Sequence, residues 1–436
     1  SNSERPLFHP SCASEISRLN IMDETWMNTS TLEYTPNPLH EFTLDNGLKV
    51  VVREDHRTPQ VALTLTFASR GDERPEEFGT GNVLLRALRY LNNDYEAFIT
   101  ESGGTRFRYG DSPGSGQLTD SLFVPAEHLE SALKLQSKLM TTDLPDESLH
   151  NALNITRDRN KKESFFLSPI AYSPEIECLV YAGSRHYRSH QAVSANLERL
   201  SPDRIRNLRR SRHCPDNAQL AITGDIGIEE ARRLVERHFA DIPRGEPSFR
   251  SAVQVPAAPG YRRITQYLDT QHPEYSMMIF IFNTPLVYEL EVLGALLEGV
   301  TLPRLAALQE KRGGVVPRFI GDNQGNTILG LAFYIHGDPQ EAEENFWKFL
   351  DEVKRSPFSP EEIDSAVNKA CSLPQVWNSS LEHQADALSY LYGSGQPLQL
   401  LDDKVGLLRS ITPADVHVAA NAYLTRENVT VVCALP

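Results

Sequence analysis

Few residues in this 436-residue chain have the types and the spacing that catalytic chemistry needs. His186 and His190 are four apart, which is the spacing of two zinc ligands on one face of a helix. The surrounding segment GSRHYRSH is turn-like, so we do not expect a zinc site there. The five cysteines are scattered and contain no CxxC pair, which predicts neither a zinc site nor a disulfide framework. The nucleotide-binding and serine-hydrolase motifs GxxxxGK, GxGxxG after a strand and GxSxG are also missing.

The charge balance argues against several kinds of partner. The chain has 43 basic and 58 acidic residues, and its net charge of −15 would repel a phosphate backbone or an anionic membrane surface. A basic cluster at 204–213 (RIRNLRRSRH) is typical of a solvated helix face, so we expect no nucleic-acid partner. The longest apolar runs, such as ILGLAFYI at 328–335, have the length of a strand and predict no transmembrane segment.

Little in the sequence indicates the cellular location of the protein. The chain starts with SNS instead of methionine, which leaves open a signal peptide that was removed before residue 4. We expect a periplasmic or otherwise exported protein, with the cytoplasm as the alternative.

A long-range repeat in the sequence predicts which secondary-structure elements recur in the fold. The stretch LSPDRIRNLRRSRHCPDNAQLAIT at 200–223 aligns without a gap with ITPADVHVAANAYLTRENVTVVCA at 411–434. Pro202 falls on Pro413 and Asn217 on Asn428, each 211 residues apart, and the pattern predicts a capped helix, a turn and a buried strand. A second pair of segments is aligned by Pro125 and Pro339, 214 residues apart. Two frames with nearly the same offset predict duplicated domains.

The domain limits follow from a linker rich in proline, glycine and serine between the repeats. Each half is predicted to be α+β, with a mostly antiparallel sheet packed with helices. We predict an N-terminal extension at 1–35, a first domain at 36–243, a linker at 244–261 and a second domain at 262–436.

The sequence resembles the pitrilysin/insulinase family of zinc metallopeptidases over about residues 37–436. The resemblance rests on HEFTLDNGLKVVVRED at the start, the double glycine Gly103 and Gly104, the strand PDNAQLAITGDI, the segment LQEKRGG and ITPADVHVAANAYL near the end. It implies two duplicated domains, in agreement with the repeat. It also implies an H-x-x-E-H motif on the first long helix, in which two histidines bind zinc and the glutamate activates water.

The residues at the positions of that motif are unsuitable for zinc. The aligned helix is GTGNVLLRAL at 79–88, which puts Asn82 and Arg86 at the ligand positions and Leu85 at the catalytic position. An asparagine amide is a poor zinc ligand, leucine cannot accept a proton and a guanidinium repels a dication. The third ligand that the resemblance implies would fall near Glu163, which alone could not hold the metal. We therefore expect no bound zinc or other cofactor, and no peptidase activity.

The resemblance also implies an arginine and a tyrosine from the second domain that would assist the reaction. Gln309 and Val316 stand at these positions, so this contribution is predicted to be lost as well. In active relatives an extended substrate adds to the strand that follows the double glycine. This implies a peptide-binding segment made of Gly103, Gly104, Thr105, Phe107 and Tyr109, although an edge strand covered by the next turn is an equal alternative.

The resulting functional hypothesis is a non-catalytic partner that encloses peptide together with a zinc-bearing sister subunit. A stand-alone peptide-binding or scaffold protein is one alternative. A zinc metalloendopeptidase with substitute ligands that include Glu163 is the other.

Overall fold

The computed structural model describes ten stretches of the chain, and residues 1–35 lie outside them. These stretches are 36–68, 79–111, 118–163, 190–245, 262–267, 276–285, 287–298, 316–321, 326–335 and 337–435. The strands are β1 (His40–Thr43), β2 (Lys49–Glu54), β3 (Gln60–Phe67), β4 (Thr105–Asp111), β5 (Leu118–Pro125), β6 (Ala218–Gly224), β7 (Arg262–Tyr267), β8 (Ser276–Pro285), β9 (Val316–Gly321), β10 (Asn326–Ile335) and β11 (Val429–Leu435).

The described helices lie between groups of strands. In chain order they are α1 (Thr80–Ala87), α2 (Asn92–Ser102), α3 (Leu129–Thr141), α4 (Asp146–Glu163), α5 (His190–Arg199), α6 (Pro202–Arg212), α7 (Ile228–Phe239), α8 (Tyr288–Leu297), α9 (Pro339–Arg355), α10 (Pro360–Ala370), α11 (Leu381–Gly393), α12 (Leu400–Arg409) and α13 (Pro413–Tyr423). Both sheets belong to one compact unit, Pro38–Pro436.

The two sheets have the same topology. The first has the order β1-β2-β6-β3-β5-β4 and the second the order β7-β11-β8-β10-β9, so the second repeats the first without β1. Each sheet contains one parallel pair, β2 with β6 and β7 with β11, and the other pairs are antiparallel. The predicted fold class, α+β with two duplicated and mostly antiparallel sheets, is confirmed.

The repeat is also visible in single residues. Pro202 and Pro413 each occupy the first turn of their helix, after Ser201 and Thr412, whose side chains accept hydrogen bonds from backbone N–H groups of that turn. A short turn and a buried strand follow both helices. The predicted equivalence of the two helix starts is therefore confirmed.

The two aligned asparagines fix the turn after each helix in the same way. Asn217 Nδ2 donates to the carbonyl of Arg212 at 2.8 Å, and Asn428 Nδ2 donates to the carbonyl of Tyr423 at 3.0 Å. Each of these carbonyls lies near the C-terminus of its helix, where backbone oxygens lack helical partners. The domain limits stay a prediction, because most of the linker lies outside the described residues.

Each sheet packs one face against helices of its own half of the chain, and a hydrophobic core fills this interface. The first core includes Leu63 and Leu122 from the strands and Leu133 from α3, all fully buried. The second core is rich in aromatic side chains, and Phe333 stacks on Phe346 with ring centroids 4.4 Å apart.

The opposite face of the first sheet is covered by α11, which comes from the second half of the chain. Ala385 of α11 packs on Ala62 of β3, and Thr66 Oγ1 donates to Ser389 Oγ at 2.7 Å. Because β3 is covered on both faces, seven of its eight residues are buried, which explains its lack of alternation. The halves are further joined by the fully buried Arg53 of β2, whose Nη1 donates to Asp402 Oδ1 at 3.0 Å.

One buried histidine makes the stability of the fold depend on pH. His213 follows α6, is 8 % exposed and packs on Phe67 with ring centroids 4.8 Å apart. Burial, and then the charges of Arg209 and Arg212, lower the pKa of His213 to about 3. Its counterpart in the repeat is Leu424, which is fully buried and has nearly the same backbone angles.

We expect the His213→Leu variant to lose less stability than the unmodified chain when the pH is lowered from 7 to 5. An unfolded histidine binds a proton below a pKa of about 6.5, whereas folded His213 stays neutral down to pH 3, so stability falls as the pH falls through that window. Between pH 7 and pH 5 the free energy of unfolding of the unmodified chain should fall by about 2 kcal/mol more than that of the variant. Urea titrations at both pH values measure this difference.

The matched control is His383→Leu, which removes an exposed imidazole from α11. A pH profile changed equally by both substitutions would contradict the assignment to His213.

Candidate functional site

The positions that the family motif assigns to zinc chemistry all lie on α1. Asn82 is exposed, Leu85 is 8 % exposed and Arg86 is half-buried. The opposite face of α1 and of the helical turn that follows it carries an apolar stripe, and its members are all 3 % exposed or less: Val83, Leu84, Ala87, Leu88 and Leu91. Helix α1 therefore contributes to the core mainly through this stripe, and Leu85 is the one motif position that also belongs to the core.

Arg86 joins α1 to α4, the helix on which the resemblance places the third ligand. Its Nη1 donates to the backbone carbonyl of Asn82 at 3.1 Å and to Thr156 Oγ1 at 3.3 Å. Thr156 is buried and donates in turn to the carbonyl of Ala152 at 2.7 Å. Glu163 is the last residue of α4, so its backbone lies about 10 Å further along the helix axis than Thr156.

These residues do not fit a zinc ion. A zinc site needs three or four neutral nitrogen, thiolate or carboxylate donors around one point. Asn82 and Leu85 supply none of these, and the Arg86 guanidinium brings a permanent positive charge to a ligand position. In the described part of the chain, no group of three or more histidine, cysteine, aspartate or glutamate side chains could hold a metal ion.

The residues predicted to bind peptide lie where α2 leads into β4. Gly103 ends α2 with a positive φ of 69°, a conformation that favours glycine. Gly104 passes close to β5, since a Cβ there would lie 2.7 Å from the carbonyl oxygen of Phe123. The double glycine thus has a structural role in bringing Thr105 into the sheet.

Strand β4 is an edge strand with a bulge. It pairs only with β5 among the described strands, and the register shifts between Arg106 and Arg108, which leaves Phe107 as the extra residue. A regular strand would place Phe107 and Tyr109 on the same face. The bulge instead puts them on opposite faces, so the predicted peptide-binding side chains do not form one row.

Phe107 and Arg108 both face α11. Phe107 packs against the cluster of Ala62, Leu381 and Ala385, and the Arg108 guanidinium forms an ion pair with Asp386. The edge strand of the first half is therefore attached to a helix of the second half.

The other face of β4 carries a buried polar cluster around Arg106. Its guanidinium carbon lies 3.6 Å from the ring centroid of Tyr95 and 3.9 Å from that of Tyr109, so the cation is held between two aromatic faces. Arg106 Nε donates to Asp120 Oδ1 at 2.7 Å, and Tyr95 and Gln136 donate to Asp120 Oδ2 at 2.9 and 3.0 Å.

This cluster is strongly desolvated and adjoins the motif helix. Burial raises the pKa of the fully buried Asp120 carboxyl, and the charge and hydrogen bond of Arg106 oppose that rise. Burial also raises the pKa of both tyrosines, and the Tyr109 hydroxyl donates to the carbonyl of Leu85 in α1 at 3.0 Å. Sequence reasoning missed the cluster, because Arg106 and Asp120 meet only through the hairpin of β4 and β5.

The resemblance places Gln309 and Val316 at the two assisting positions of the second domain. Gln309 lies outside the described residues. Val316 is the first residue of β9, where its backbone pairs opposite Ala332.

Comparisons with known proteins agree with the resemblance predicted from the sequence. Residues 199–370 match the family model of the peptidase M16 inactive domain. A protease from Helicobacter pylori has a TM-score of 0.73 at 14 % identity, with 92 % of this chain and 100 % of that chain covered. A peptidase M16 inactive domain from Pseudomonas fluorescens also has a TM-score of 0.73, at 17 % identity, with 92 % and 98 % covered.

A third similar structure belongs to a longer protein. The first half of the periplasmic protease PqqL from Escherichia coli has a TM-score of 0.65 at 15 % identity, with 92 % of this chain and 93 % of that fragment covered. Of the whole PqqL chain, only 48 % is covered. No curated protein matches the sequence. No helix in the part of the chain that the structure describes is long and apolar enough to cross a membrane.

Proposed function

We propose that this chain is a homologue of the M16 peptidases that has lost peptide hydrolysis, on the basis of the inactive-domain match and the shared fold. The observation that carries the proposal is Arg86, whose guanidinium bridges α1 and α4 at a position where the resemblance requires a zinc-binding histidine. The positive charge of this guanidinium repels a zinc ion, and neither Asn82 nor Leu85 supplies a zinc ligand or a catalytic base.

We further propose that the protein is a non-catalytic subunit that encloses peptide together with a zinc-bearing sister chain. The matched half of PqqL is joined to a further half in the same polypeptide, since only 48 % of that chain is covered. In this proposal a sister chain supplies the half that corresponds to the rest of PqqL. PqqL is described as periplasmic, which supports the same location for this protein.

In this proposal the β4 edge contributes the peptide contact. Its outward backbone groups have no strand partner among the described residues, and an extended peptide can add to such an edge through backbone hydrogen bonds. The Phe107 bulge and the Arg108 ion pair to Asp386 hold this edge against α11.

The test is to mix the purified protein with a zinc-bearing M16 chain encoded beside it. We expect the two to co-elute in size-exclusion chromatography and the mixture to cleave an unstructured peptide at a rate different from that of the sister alone. A sister whose zinc ligands are replaced is the control, because the mixture should then be inactive. Absence of both a complex and a rate change would remove the subunit proposal.

A stand-alone peptide-binding or scaffold protein is the second candidate, and the open β4 edge favours it if no sister chain associates. The rival proposal is a zinc peptidase with substitute ligands that include Glu163. One zinc per chain in the purified protein would favour this rival, and the absence of stoichiometric zinc would rule it out.

A further inference from the structure

The face of the first sheet that α11 covers is lined with polar side chains. Thr66 Oγ1 donates to Ser389 Oγ of α11 at 2.7 Å, and Thr223 Oγ1 donates to the backbone carbonyl of Leu381 at 2.9 Å. Strand alternation places further hydroxyl and amide groups on this face. All of them are 3 % exposed or less: Thr64, Thr66, Thr119, Ser121, Gln219 and Thr223.

Few apolar side chains of the first sheet support α11. Among the described residues, the two apolar clusters under this helix take three buried members from the sheet, Val51, Ala62 and Ala221. The other buried members of both clusters come from the second half of the chain. Helix α11 is therefore anchored by the second half, and its contact with the first sheet buries little apolar surface of that sheet.

The equivalent face of the second sheet is apolar at the corresponding positions. Ile279 and Ile281 of β8 are the counterparts of Thr64 and Thr66, because the two pairs lie opposite residues of β11 and β6 that are 211 apart. Both isoleucines are 2 % exposed, and they lie on the face opposite to the second core, to which Phe280 between them belongs. The polar lining is therefore specific to the face that α11 covers and is not a general property of the duplicated fold.

Several buried polar atoms at this interface have no hydrogen-bond partner among the described residues. Gln384 of α11 is fully buried, and both its amide oxygen and its amide nitrogen are unpaired. Leu388, one turn further along the helix, shares an apolar cluster with Ala221 of β6, so Gln384 faces the same strand. Gln219 Oε1 of β6 and Arg53 Nε of the neighbouring strand β2 are also unpaired. Water would satisfy these groups if the interface opened, whereas the closed interface leaves them without it.

The contacts between α11 and the edge strand β4 are weak as well. Arg108 and Asp386 form an ion pair in which both side chains are 39 % exposed, and such a pair contributes little to stability. Phe107 adds an apolar contact with the cluster that contains Leu381 and Ala385. Separation of α11 from the sheet would therefore release the bulge of β4 together with the polar face.

We propose that this interface is a polar clasp: α11 and the second half separate from the polar face of the first sheet and return, while both hydrophobic cores stay folded. The ion pair between Arg53 and Asp402 favours the closed state, which keeps the open state a minor population. In the closed state the clasp holds the β4 edge against α11, and in the open state water enters and the edge is released. The clasp belongs to the chain itself and does not depend on the proposed sister subunit.

Thiol labelling of the native protein measures this opening. Ser121→Cys places a thiol on the polar face, and Ala132→Cys places one in the first core, where Ala132 is fully buried on α3. With a thiol reagent and peptide mapping by mass spectrometry, we expect Ser121→Cys to react at least about tenfold faster than Ala132→Cys, because opening of the clasp needs less free energy than unfolding of a core. Ser389→Cys reports the same interface from the side of α11 and should agree with Ser121→Cys.

Two further substitutions separate clasp opening from global unfolding. Gln384→Leu should slow the labelling of Ser121→Cys about tenfold, because it removes a buried polar group that is paired only in the open state. The control is Ile363→Val in the second core, which should speed the labelling of the fully buried Cys433 severalfold and leave that of Ser121→Cys unchanged.

Three results would overturn the clasp. The first is equal labelling of Ser121→Cys and Ala132→Cys, which would mean that the polar face is exposed only by global unfolding. The second is an equal acceleration of Ser121→Cys and Cys433 by Ile363→Val, which has the same meaning. The third is a labelling rate of Ser121→Cys that Gln384→Leu leaves unchanged. These measurements involve neither a sister chain nor a peptide, so failure of the clasp is distinct from failure of the proposed function.

Discussion

Asp120→Ala is expected to lower the free energy of unfolding by about 3–5 kcal/mol, the cost of breaking a buried ion pair by removing one partner. The variant would leave the Arg106 guanidinium between two aromatic rings with its side chain 12 % exposed. The hydroxyl of Tyr95 and the amide of Gln136 would lose an acceptor as well. Urea unfolding followed by circular dichroism measures the loss.

A second ion pair in the same half provides the control. Asp94 pairs with Lys138 at 2.6 Å, and both side chains are 40 % exposed or more. Asp94→Ala is therefore expected to cost no more than about 1 kcal/mol. Equal losses in the two variants would contradict the special role of the buried cluster.

A double substitution separates the charge from the packing. Replacing Arg106 and Asp120 together with methionine and leucine should cost less than Asp120→Ala alone, because no unpaired charge stays buried. Hydrogen exchange of the β4 amides should rise most in Asp120→Ala, since that variant loosens the strand that carries the proposed peptide edge.

The duplicated fold could be predicted from the sequence because it depends on local signals that recur at a fixed offset. Ser201 with Pro202 and Thr412 with Pro413 are helix starts whose capping needs only neighbouring residues. Strand β6 is buried throughout and β11 is buried from Val429 to Cys433, and continuous apolar runs are typical of such strands.

The face assignment on β4 could not be predicted in the same way. The sequence TRFRYG alternates, which groups Thr105, Phe107 and Tyr109 on one side. The bulge that separates Phe107 from Tyr109 accompanies contacts with residues far away in the chain, among them Leu381 and Asp386. Tertiary contacts of this kind leave no local pattern in the sequence.

The positions that align with the zinc motif were predicted from the family resemblance, and the structure adds what their side chains contact. Asn82 and Leu85 supply no suitable zinc donor, whereas Arg86 bridges α1 and α4 through its hydrogen bonds. The sequence does not predict that Thr156 accepts a hydrogen bond from Arg86, since the two residues are 70 apart in the chain and meet only through helix packing.

The largest effect is expected for zinc binding. A competent site combines several deprotonated ligands, and its binding free energy in structural zinc sites is about 10–16 kcal/mol. On α1 the only charged group is a guanidinium, and a unit positive charge about 4 Å from a dication costs about 8 kcal/mol at an effective dielectric constant of about 20. The protein should therefore take up no stoichiometric zinc and hydrolyse no peptide by a chelator-sensitive reaction.

The most direct measurement is the zinc content of the purified chain after incubation with excess zinc and dialysis, with a zinc-bearing M16 peptidase treated in parallel. We predict that the peptidase retains its metal, while this chain and its Arg86→Gln variant retain no stoichiometric zinc. One zinc per chain, removed by a chelator together with peptide hydrolysis, would contradict the loss of catalysis and support a site with substitute ligands.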